Sequence, residues 1–338
     1  MDYDVQARRT WDTPFGSEGT AAAQMLELVR YATLAPSGHN AQPWKFAIRK
    51  NTIRIYPDFS RRLPVVDPQD RELWISLGCA LENLTIAAQQ TGYEVQVSYP
   101  EPDADDITLH MTRSSAHSPS PLFDAIPHRQ NTRSLYDGTA ASRADVKRIE
   151  SVASIAGVTL QTFTDAQLKE AILEYVKAGN RSQYANAGFR DELLYWLRFN
   201  TPEALHSSDG LYAPCSGSAQ VPRWLGRMFV TSGGAGRQSA TDEKSIRSSS
   251  GLLVISAAQD DKIHWIETGR LYERLALTLT ACGMKVAFLN QPLEVAALRS
   301  QFQNYLRLGT AQPLLLLRFG YAAPMPRSLR RPLAQVLV

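Results

Sequence analysis

The chain has 338 residues, of which 44% are hydrophobic and 20% are charged, and its formal net charge at pH 7 is +3. This composition is typical of a globular protein with a hydrophobic core, and the length predicts two ordinary domains or one large compound domain. The small net charge argues against nucleic-acid binding. The longest aliphatic runs, such as residues 314–317, are far too short to span a bilayer.

The cysteines and histidines form no pattern typical of a disulfide framework or a metal site. Cys79, Cys215 and Cys282 lie far apart, and no two of the six histidines have helical i, i+4 spacing. Isolated cysteines favour a reducing compartment. The first sixteen residues contain no apolar run of the kind that a secretion signal requires. We therefore predict a soluble cytoplasmic protein without a metal, membrane or nucleic-acid partner.

Hydrophobic periodicity predicts an α+β order of elements in the first part of the chain. Apolar residues at helical spacing precede Pro36, which ends the first helix. Alternating residues on both sides of Lys50-Asn51 predict a β-hairpin. The predicted elements are a helix over 21–35, strands over 45–50 and 52–56, a helix over 70–91, and strands over 93–99 and 107–112.

The second part of the chain repeats this order. The predicted elements are a helix from Ser142 to near Gly157, a strand over 158–163, a long helix over 268–282 and a strand over 313–319. The repetition predicts two tandem α/β units, which we place at residues 1–120 and 121–338.

Residues 200–250 depart from the repeat. This segment is rich in serine and glycine, yet Trp224, Leu225, Met228 and Phe229 provide apolar anchors that a flexible linker lacks. We interpret it as a long, irregular, lid-like insertion that packs against another part of the molecule.

A short polar loop follows the first predicted helix, at residues 35–44. Ser37, His39, Asn40 and Gln42 offer donors and acceptors that suit a flat heterocycle. The alternative is an ordinary connection between a helix and a strand, with Trp44 buried.

Two basic segments lie further along the chain. Arg129, Asn131 and Arg133 alternate ahead of a helix, and arginine pairs well with phosphate because it donates two hydrogen bonds from one plane. A second group, Arg327, Arg330 and Arg331, lies near the C-terminus. Solvated basic turns and a charged tail are the alternatives.

Together these segments resemble the nitroreductase-like FMN-binding superfamily, and in particular its fused, double-length branch of Acg-like proteins. Residues 35–44 match the family loop A-P-S-x-x-N-x-Q-P-W throughout. The segment Arg129-x-Asn131-x-Arg133 resembles the family's R-x-S-x-R phosphate motif, with asparagine in place of serine. Residues 320–324 and 330–332 resemble its G-Y-x-x-P and R-R-P ending. The resemblance is weakest over 180–250.

The resemblance implies two nitroreductase-like repeats forming a pseudo-dimer around one FMN site. The first repeat would contribute the loop, and the second repeat the phosphate arginines, the segment 290–294 near flavin N5 and the basic ending. The corresponding place in the second repeat, residues 153–162, lacks the loop, so the opposite pseudo-site would be empty. The expected cofactor-binding residues are Pro36, Ser37, His39, Asn40, Gln42, Arg129, Asn131, Arg133, Gln291, Pro292, Leu293, Glu294, Arg330 and Arg331.

No catalytic side chain is implied, because the flavin carries the redox chemistry. We expect an FMN-dependent oxidoreductase that uses reduced nicotinamide, NADH or NADPH, and a nitroaromatic, quinone or biosynthetic substrate, in the reductase or the oxidase direction. The alternative is an FMN storage or sequestration protein with a lidded flavin and no turnover. A nucleic-acid or membrane role for the C-terminal arginines is disfavoured. The chain is expected to be a monomer or a homodimer.

Overall fold

The computed structural model describes residues 2–16, 19–101, 104–114, 120–152, 155 and 157–338. Within these ranges the helices are α1 (Tyr3–Trp11), α2 (Ala21–Thr33), α3 (Arg71–Gln90), α4 (Arg143–Ser151), α5 (Ala166–Ala185), α6 (Ala187–Trp196), α7 (Thr201–Ser207), α8 (Arg223–Thr231), α9 (Gly234–Arg247), α10 (Lys262–Ala281), α11 (Gln291–Glu294), α12 (Ala296–Tyr305) and α13 (Leu333–Val336). The strands are β1 (Trp44–Arg49), β2 (Thr52–Pro57), β3 (Tyr93–Ser98), β4 (Ile107–Arg113), β5 (Val158–Phe163), β6 (Leu197–Arg198), β7 (Leu211–Tyr212), β8 (Gly251–Ala257), β9 (Lys285–Phe288) and β10 (Gln312–Gly320).

Two four-stranded sheets dominate the fold, and both follow the same topology. Their strand orders are β1-β2-β4-β3 and β5-β8-β10-β9, and every neighbouring pair is antiparallel. In chain order each sheet therefore runs first, second, fourth, third. This shared order confirms the predicted α+β fold of two tandem repeats. In the sequence, all strands of the first sheet precede residue 120 and all strands of the second sheet follow it. The repeat boundary at residue 120 itself stays a prediction.

The two long helices α3 and α10 cross at a pair of glycines. Gly78 and Gly269 are each the eighth residue of a 20-residue helix. A Cβ on Gly78 would lie 2.1 Å from the carbonyl oxygen of Ile266, and a Cβ on Gly269 would lie 2.0 Å from that of Ile75. Because neither glycine has a side chain, the two helix backbones touch. The contacts are reciprocal, so an approximate two-fold axis relates the two repeats.

This crossing joins the two repeats into one hydrophobic core. A single cluster of buried residues includes Trp44 and Phe46 of the first sheet and Leu253 and Phe319 of the second. The C-terminal tail also returns to the first sheet, where the Val338 amide donates to the Phe46 carbonyl oxygen at 2.9 Å. The parts of the molecule on either side of the crossing are thus held in a fixed relation.

The structure corrects the predicted insertion. Residues 200–250 are mainly helical, comprising α7, α8 and α9, and they belong to a longer helical insertion, Ala166–Arg247, between β5 and β8. The first sheet has only the turn at Lys50-Asn51 in the same place. Trp224, Leu225, Met228 and Phe229 have i, i+1, i+4, i+5 spacing, which is that of an α-helix. Some of the serines and glycines lie at helix ends, among them Ser207 and Ser248, and Gly233 has φ +70° between α8 and α9.

Other predicted boundaries also differ. Helix α4 ends at Ser151 rather than near Gly157, and α10 begins at Lys262 rather than 268, because the Asp261 side chain accepts from the His264 amide. Strand β8 was not predicted because all seven of its residues are buried and show no alternation. The expected loss of the polar loop at 153–162 falls partly outside the described residues, at Ala153, Ser154 and Ala156.

We expect Gly78→Ala to destabilise the protein by about 1–3 kcal/mol or more, since the added methyl group meets backbone that has to move. Gly236→Ala is the matched control: Gly236 lies inside α9 and a Cβ there meets nothing within 4 Å. That substitution should stabilise the helix by roughly 0.5–1 kcal/mol. Urea unfolding of both variants measures the difference, and equal stability of the two would contradict the glycine crossing.

Candidate cofactor site

Two adjoining cavities lie where the repeats meet. The large cavity has a volume of about 630 Å³ and the small cavity about 70 Å³. Both are lined by Pro36 and Ser37 from the first repeat and by Asn131 and Arg133 from the second. The combined space is therefore built by segments from both halves of the sequence, and the large cavity falls within the usual size range of ligand sites.

The predicted polar loop forms one wall, and its backbone is unusual. His39, Asn40 and Gln42 all have positive φ angles, of 49°, 53° and 55°. Residues other than glycine rarely adopt this backbone conformation, and those that do are concentrated at functional sites. The Ser37 hydroxyl oxygen accepts from the Gln42 amide at 2.9 Å and closes the loop on itself.

Arg330 and Arg331 have different environments. The Arg330 guanidinium donates to the carbonyl oxygens of Thr33, Leu34 and Ala35 at 2.8–3.1 Å, so it caps the C-terminal end of α2. It also lines the small cavity. Arg331 instead lies 3.5 Å from Asp58 and bonds the Gln42 carbonyl oxygen. Of the two arginines, Arg330 is the one that the cavity contacts.

The small cavity carries an excess of positive charge. Arg129, Arg133, Arg327 and Arg330 line it. Buried Glu273 lies 3.2 Å from the Arg129 Nε, but the buried Arg129 Nη1 has no hydrogen-bond partner among the described residues.

The pKa shifts at the small cavity have the same origin. Burial, then Arg129, lowers the pKa of Arg330, and burial also lowers the pKa of Arg133, where Arg318 adds to the effect. Desolvated cations with an unused donor are the environment in which an anion such as phosphate binds.

The other predicted residues divide between the cavity wall and its support. His39, Gln291 and Glu294 line the large cavity, and Asn40 and Arg129 line the small one. Gln42 is fully buried, and its side chain bonds Ser208 and Arg331. Pro292 and Leu293 are also buried, and neither lines the large or the small cavity.

The amides of Leu293 and Glu294 both donate to the Asn290 carbonyl oxygen, at 2.7 and 3.0 Å. One of these amides was expected to face flavin N5. Each already has an acceptor within the α11 turn.

Several residues that the motifs did not identify also line the large cavity. Glu72 from α3, Asp242 from α9 and Arg318 from β10 are buried there. The helical insertion adds Tyr184, Phe189, Phe199 and Phe229. All of these residues lie outside residues 35–44, 129–133 and 320–332, which carry the motifs of the family that the chain resembles.

Among the described residues, none of the helices is long and apolar enough to cross a membrane. The same part of the chain holds no cluster of three or more histidine, cysteine, aspartate or glutamate residues that could bind a metal ion.

No protein-family model matches the chain. The chain is 26% identical over 333 residues to the "Putative NAD(P)H nitroreductase Rv3131" of Mycobacterium tuberculosis, which corresponds to 94% of this chain and 91% of that protein. It is 23% identical over 338 residues to the "Putative NAD(P)H nitroreductase acg" of the same organism, with 91% and 93% covered. The chain is a homologue of these proteins. The resemblance to Acg-like proteins is thereby confirmed.

Solved structures that resemble the chain include nitroreductases. One, from Bacteroides fragilis with bound FMN, has a TM-score of 0.35 and 13% identity, over 60% of this chain and 89% of that one. Another, the FMN-dependent nitroreductase NfnB of Mycobacterium smegmatis in complex with NADPH, has a TM-score of 0.38 and 15% identity, over 62% and 94%. Likeness at this level supports no further conclusion.

The approximate two-fold axis relates the cavity wall to a second region of the chain, whose residues differ from those of the wall. The ninth residue of α3 is Cys79, which lines the large cavity, whereas the ninth residue of α10 is Arg270. The Arg270 guanidinium bonds Glu82 at 3.0 Å, Glu267 at 3.0 Å and the Tyr99 hydroxyl at 2.7 Å. An ion-paired cluster thus takes the place that a cavity-lining thiol has on the other side.

His39 provides a pH-dependent test of the site. Burial, and next the charge of Arg133, lowers the pKa of His39 to about 4. As the pH falls from about 6.5 towards 4, the unfolded chain binds a proton here that the folded chain refuses, so the folded state loses stability.

We expect His39→Asn, which tolerates positive φ, to remove this loss. Its stability relative to the natural chain should rise by about 1–2 kcal/mol between roughly pH 7.5 and pH 5, because partial exposure reduces the full effect. Urea unfolding at the two pH values measures the change. A pH-independent difference would show that His39 titrates normally.

Proposed function

We propose that the chain is an FMN-dependent oxidoreductase that takes electrons from reduced nicotinamide and gives them to a small organic substrate. The observation that carries the proposal is the cluster of desolvated arginines beside a cavity of about 630 Å³. A ligand with a phosphate group and a flat, largely apolar ring system would match the arginine cluster and the large cavity, respectively. The names of the mycobacterial relatives support the same class of reaction.

The residues present fit FMN. Arg129 has an unused buried donor, Nη1, and Arg133 has one described hydrogen bond, to the Ser216 hydroxyl at 3.2 Å, so both would hold the phosphate. Arg330 would add charge while holding the polar loop. Ser37 and Asn131 lie where the cavities adjoin and would meet the polyol chain. When bound, FMN supplies reversible two-electron chemistry at its N5 atom.

We further propose a single site per chain, formed in cis by two repeats that act as a pseudo-dimer. The ion-paired Arg270 at the position equivalent to Cys79 supports this asymmetry. Fusion of the repeats removes the need for a second chain, so a monomer is the default state and a homodimer of fused chains is the alternative. The protein would act in the cytoplasm on a small molecule.

The helical insertion favours a second candidate function, which is FMN storage or sequestration under a lid without turnover. Aromatic residues of α6 and α8, including Phe189 and Phe229, contribute to the wall of the large cavity. A wall that does not open would exclude nicotinamide. The two functions differ in whether the bound flavin exchanges electrons with solution.

We expect Arg133→Ala to release most of the flavin, because a buried phosphate loses a charge-assisted hydrogen bond of about 1.5–3 kcal/mol, or roughly 10–150-fold in Kd. FMN per chain after gel filtration measures the loss against a natural ratio near one. Arg237→Ala is the control, since this arginine also lines the large cavity but bonds only carbonyl oxygens of its own segment. Full flavin retention in Arg133→Ala would reject the phosphate assignment, and a natural ratio near two would reject the single site.

Anaerobic mixing with reduced nicotinamide tests the function itself. The enzyme should bleach its flavin absorbance within seconds, in line with a median enzyme turnover of about 10 s⁻¹. Oxidised nicotinamide cofactor, added in its place, should leave the flavin absorbance unchanged. Flavin that stays yellow for many minutes with both NADH and NADPH would favour sequestration over turnover.

A further inference from the structure

Two carboxyl groups from different repeats meet in the wall of the large cavity. Glu72 is the second residue of α3, is 8% exposed and lines the cavity, and Glu294 ends α11. Both line the large cavity, and Asn290 links them: its Nδ2 donates to Glu72 at 3.2 Å, and its carbonyl oxygen accepts from the Glu294 amide at 3.0 Å. Two neighbouring carboxylates repel each other when both are ionised, which favours a proton on one of them.

The surroundings supply two amide donors and one buried cation, Arg71. The Asn290 Nδ2 donates to Glu72 at 3.2 Å, and the Gln183 Nε2 donates to Glu294. The buried Arg71 guanidinium donates to the Leu293 carbonyl oxygen at 3.0 Å. Burial raises the pKa of both carboxyl groups, and the charge of Arg71 opposes this rise without reversing it.

Other titratable groups close to the pair also favour a bound proton. Asp67, whose carboxylate accepts from the Leu73 amide at 3.0 Å, is a third acid near Glu72. His39 lines the same cavity and stays neutral above about pH 4. Asp70 is ion-paired with Arg62 instead.

The pKa values reflect this environment. Burial, and next the charge of Glu294, raises the pKa of Glu72 to about 8, and burial raises the pKa of Glu294. Burial and then Glu72 raise the pKa of Asp67 to about 7. Coupled acids of this kind share protons, so the pair as a unit holds one proton at neutral pH and gives it up near pH 8.

Stability does not explain the pair. Burial of two neighbouring carboxyl groups lowers the stability of the folded state, because Arg71 offsets only part of their desolvation, and neutral substitutes of the same size remove that cost. A pair that costs stability and faces a ligand cavity is typical of acid–base chemistry.

We propose that the Glu72–Glu294 pair is the proton donor, and in the reverse direction the proton acceptor, for the substrate that reacts in the large cavity. This inference rests on the proposed function. It narrows the substrate class to molecules whose two-electron reduction takes up a proton, such as a quinone or a conjugated carbonyl compound.

The two-electron reduction of such a substrate requires one hydride and one proton. Reduced nicotinamide is the source of the hydride, which adds its electron pair to one substrate atom. A carboxyl O–H bond of the pair breaks as an O–H or C–H bond forms on the substrate, which leaves the pair doubly ionised. Water returns the proton after the product leaves, and the repulsion between the two carboxylates favours that step.

Glu72→Gln and Glu294→Gln test the pair without reference to activity. In the natural protein, infrared spectroscopy should show a protonated carboxyl band at pH 7 that disappears as the pH rises through about 8. Each glutamine variant should lose part of that band at pH 7, while Asp67 and Glu273, whose pKa values burial raises to about 7, account for the remainder. Glu174→Gln, at an exposed position on α5, should keep the whole band. The thermal unfolding midpoint of the two pair variants should equal or exceed the natural value. Absence of the band from the natural protein at pH 7 would overturn the shared proton, whatever the flavin does.

The donor role is tested on protein whose flavin has been reduced photochemically, so that the result does not depend on nicotinamide. Reoxidation by 1,4-benzoquinone should slow by at least about tenfold in Glu72→Gln and Glu294→Gln, given the usual contribution of general acids. The slowing of the natural protein above about pH 8 should vanish in both variants, and their FMN content should match that of Glu174→Gln. Unchanged reoxidation rates and pH profiles in both variants would reject the donor role. Failure of nicotinamide to bleach the flavin would instead reject the oxidoreductase function.

Discussion

The site depends on the contact between Gly78 of α3 and Gly269 of α10. Because neither residue has a side chain, the two helix backbones touch, and one hydrophobic core spans both repeats. The loop at 36–40 follows a helix of the first repeat, whereas Arg133 precedes the second sheet. These segments are about a hundred residues apart in sequence, and the crossing holds them on the same cavity. A larger residue at either glycine would separate the repeats and widen the site that they form.

The small and the large cavity each contain a buried polar arrangement that lowers the stability of the folded state, one made of arginines and the other of carboxyl groups. In the small cavity Arg129 keeps a buried donor unused, and in the large cavity Glu72 and Glu294 bring two carboxyl groups together. Neither arrangement improves the stability of the folded chain, since desolvated charges and unpaired donors are unfavourable. The proposed ligands would offset this cost, because a phosphate would use the free donor and a substrate would take the proton. Such compensation by a ligand is the physical reason that polar strain accumulates at functional sites.

Periodic patterns and motifs predicted much of this arrangement. Strand β5 and the hairpin at Lys50 were predicted because alternation and turn residues are local signals. Strand β8 was not, because a fully buried strand has no alternation. The choice between Arg330 and Arg331 could not be made from sequence, since it depends on which guanidinium reaches the carbonyl oxygens that end α2. Glu72 and Glu294 are 222 positions apart, so only tertiary structure reveals that they are partners.

The two repeats differ in how they surround the crossing, and this asymmetry is the structural basis for the proposal of one site per chain. Between its first two strands the first repeat has a two-residue turn, whereas the second has the helical insertion, which covers one side of the pseudo-two-fold arrangement. On the covered side α3 presents a small residue, Cys79, to the cavity. On the opposite side α10 presents Arg270, held by Glu82 and Glu267. The charge of Arg270 is therefore satisfied within the protein, whereas the equivalent position on the other side faces a cavity that the helical insertion helps to line.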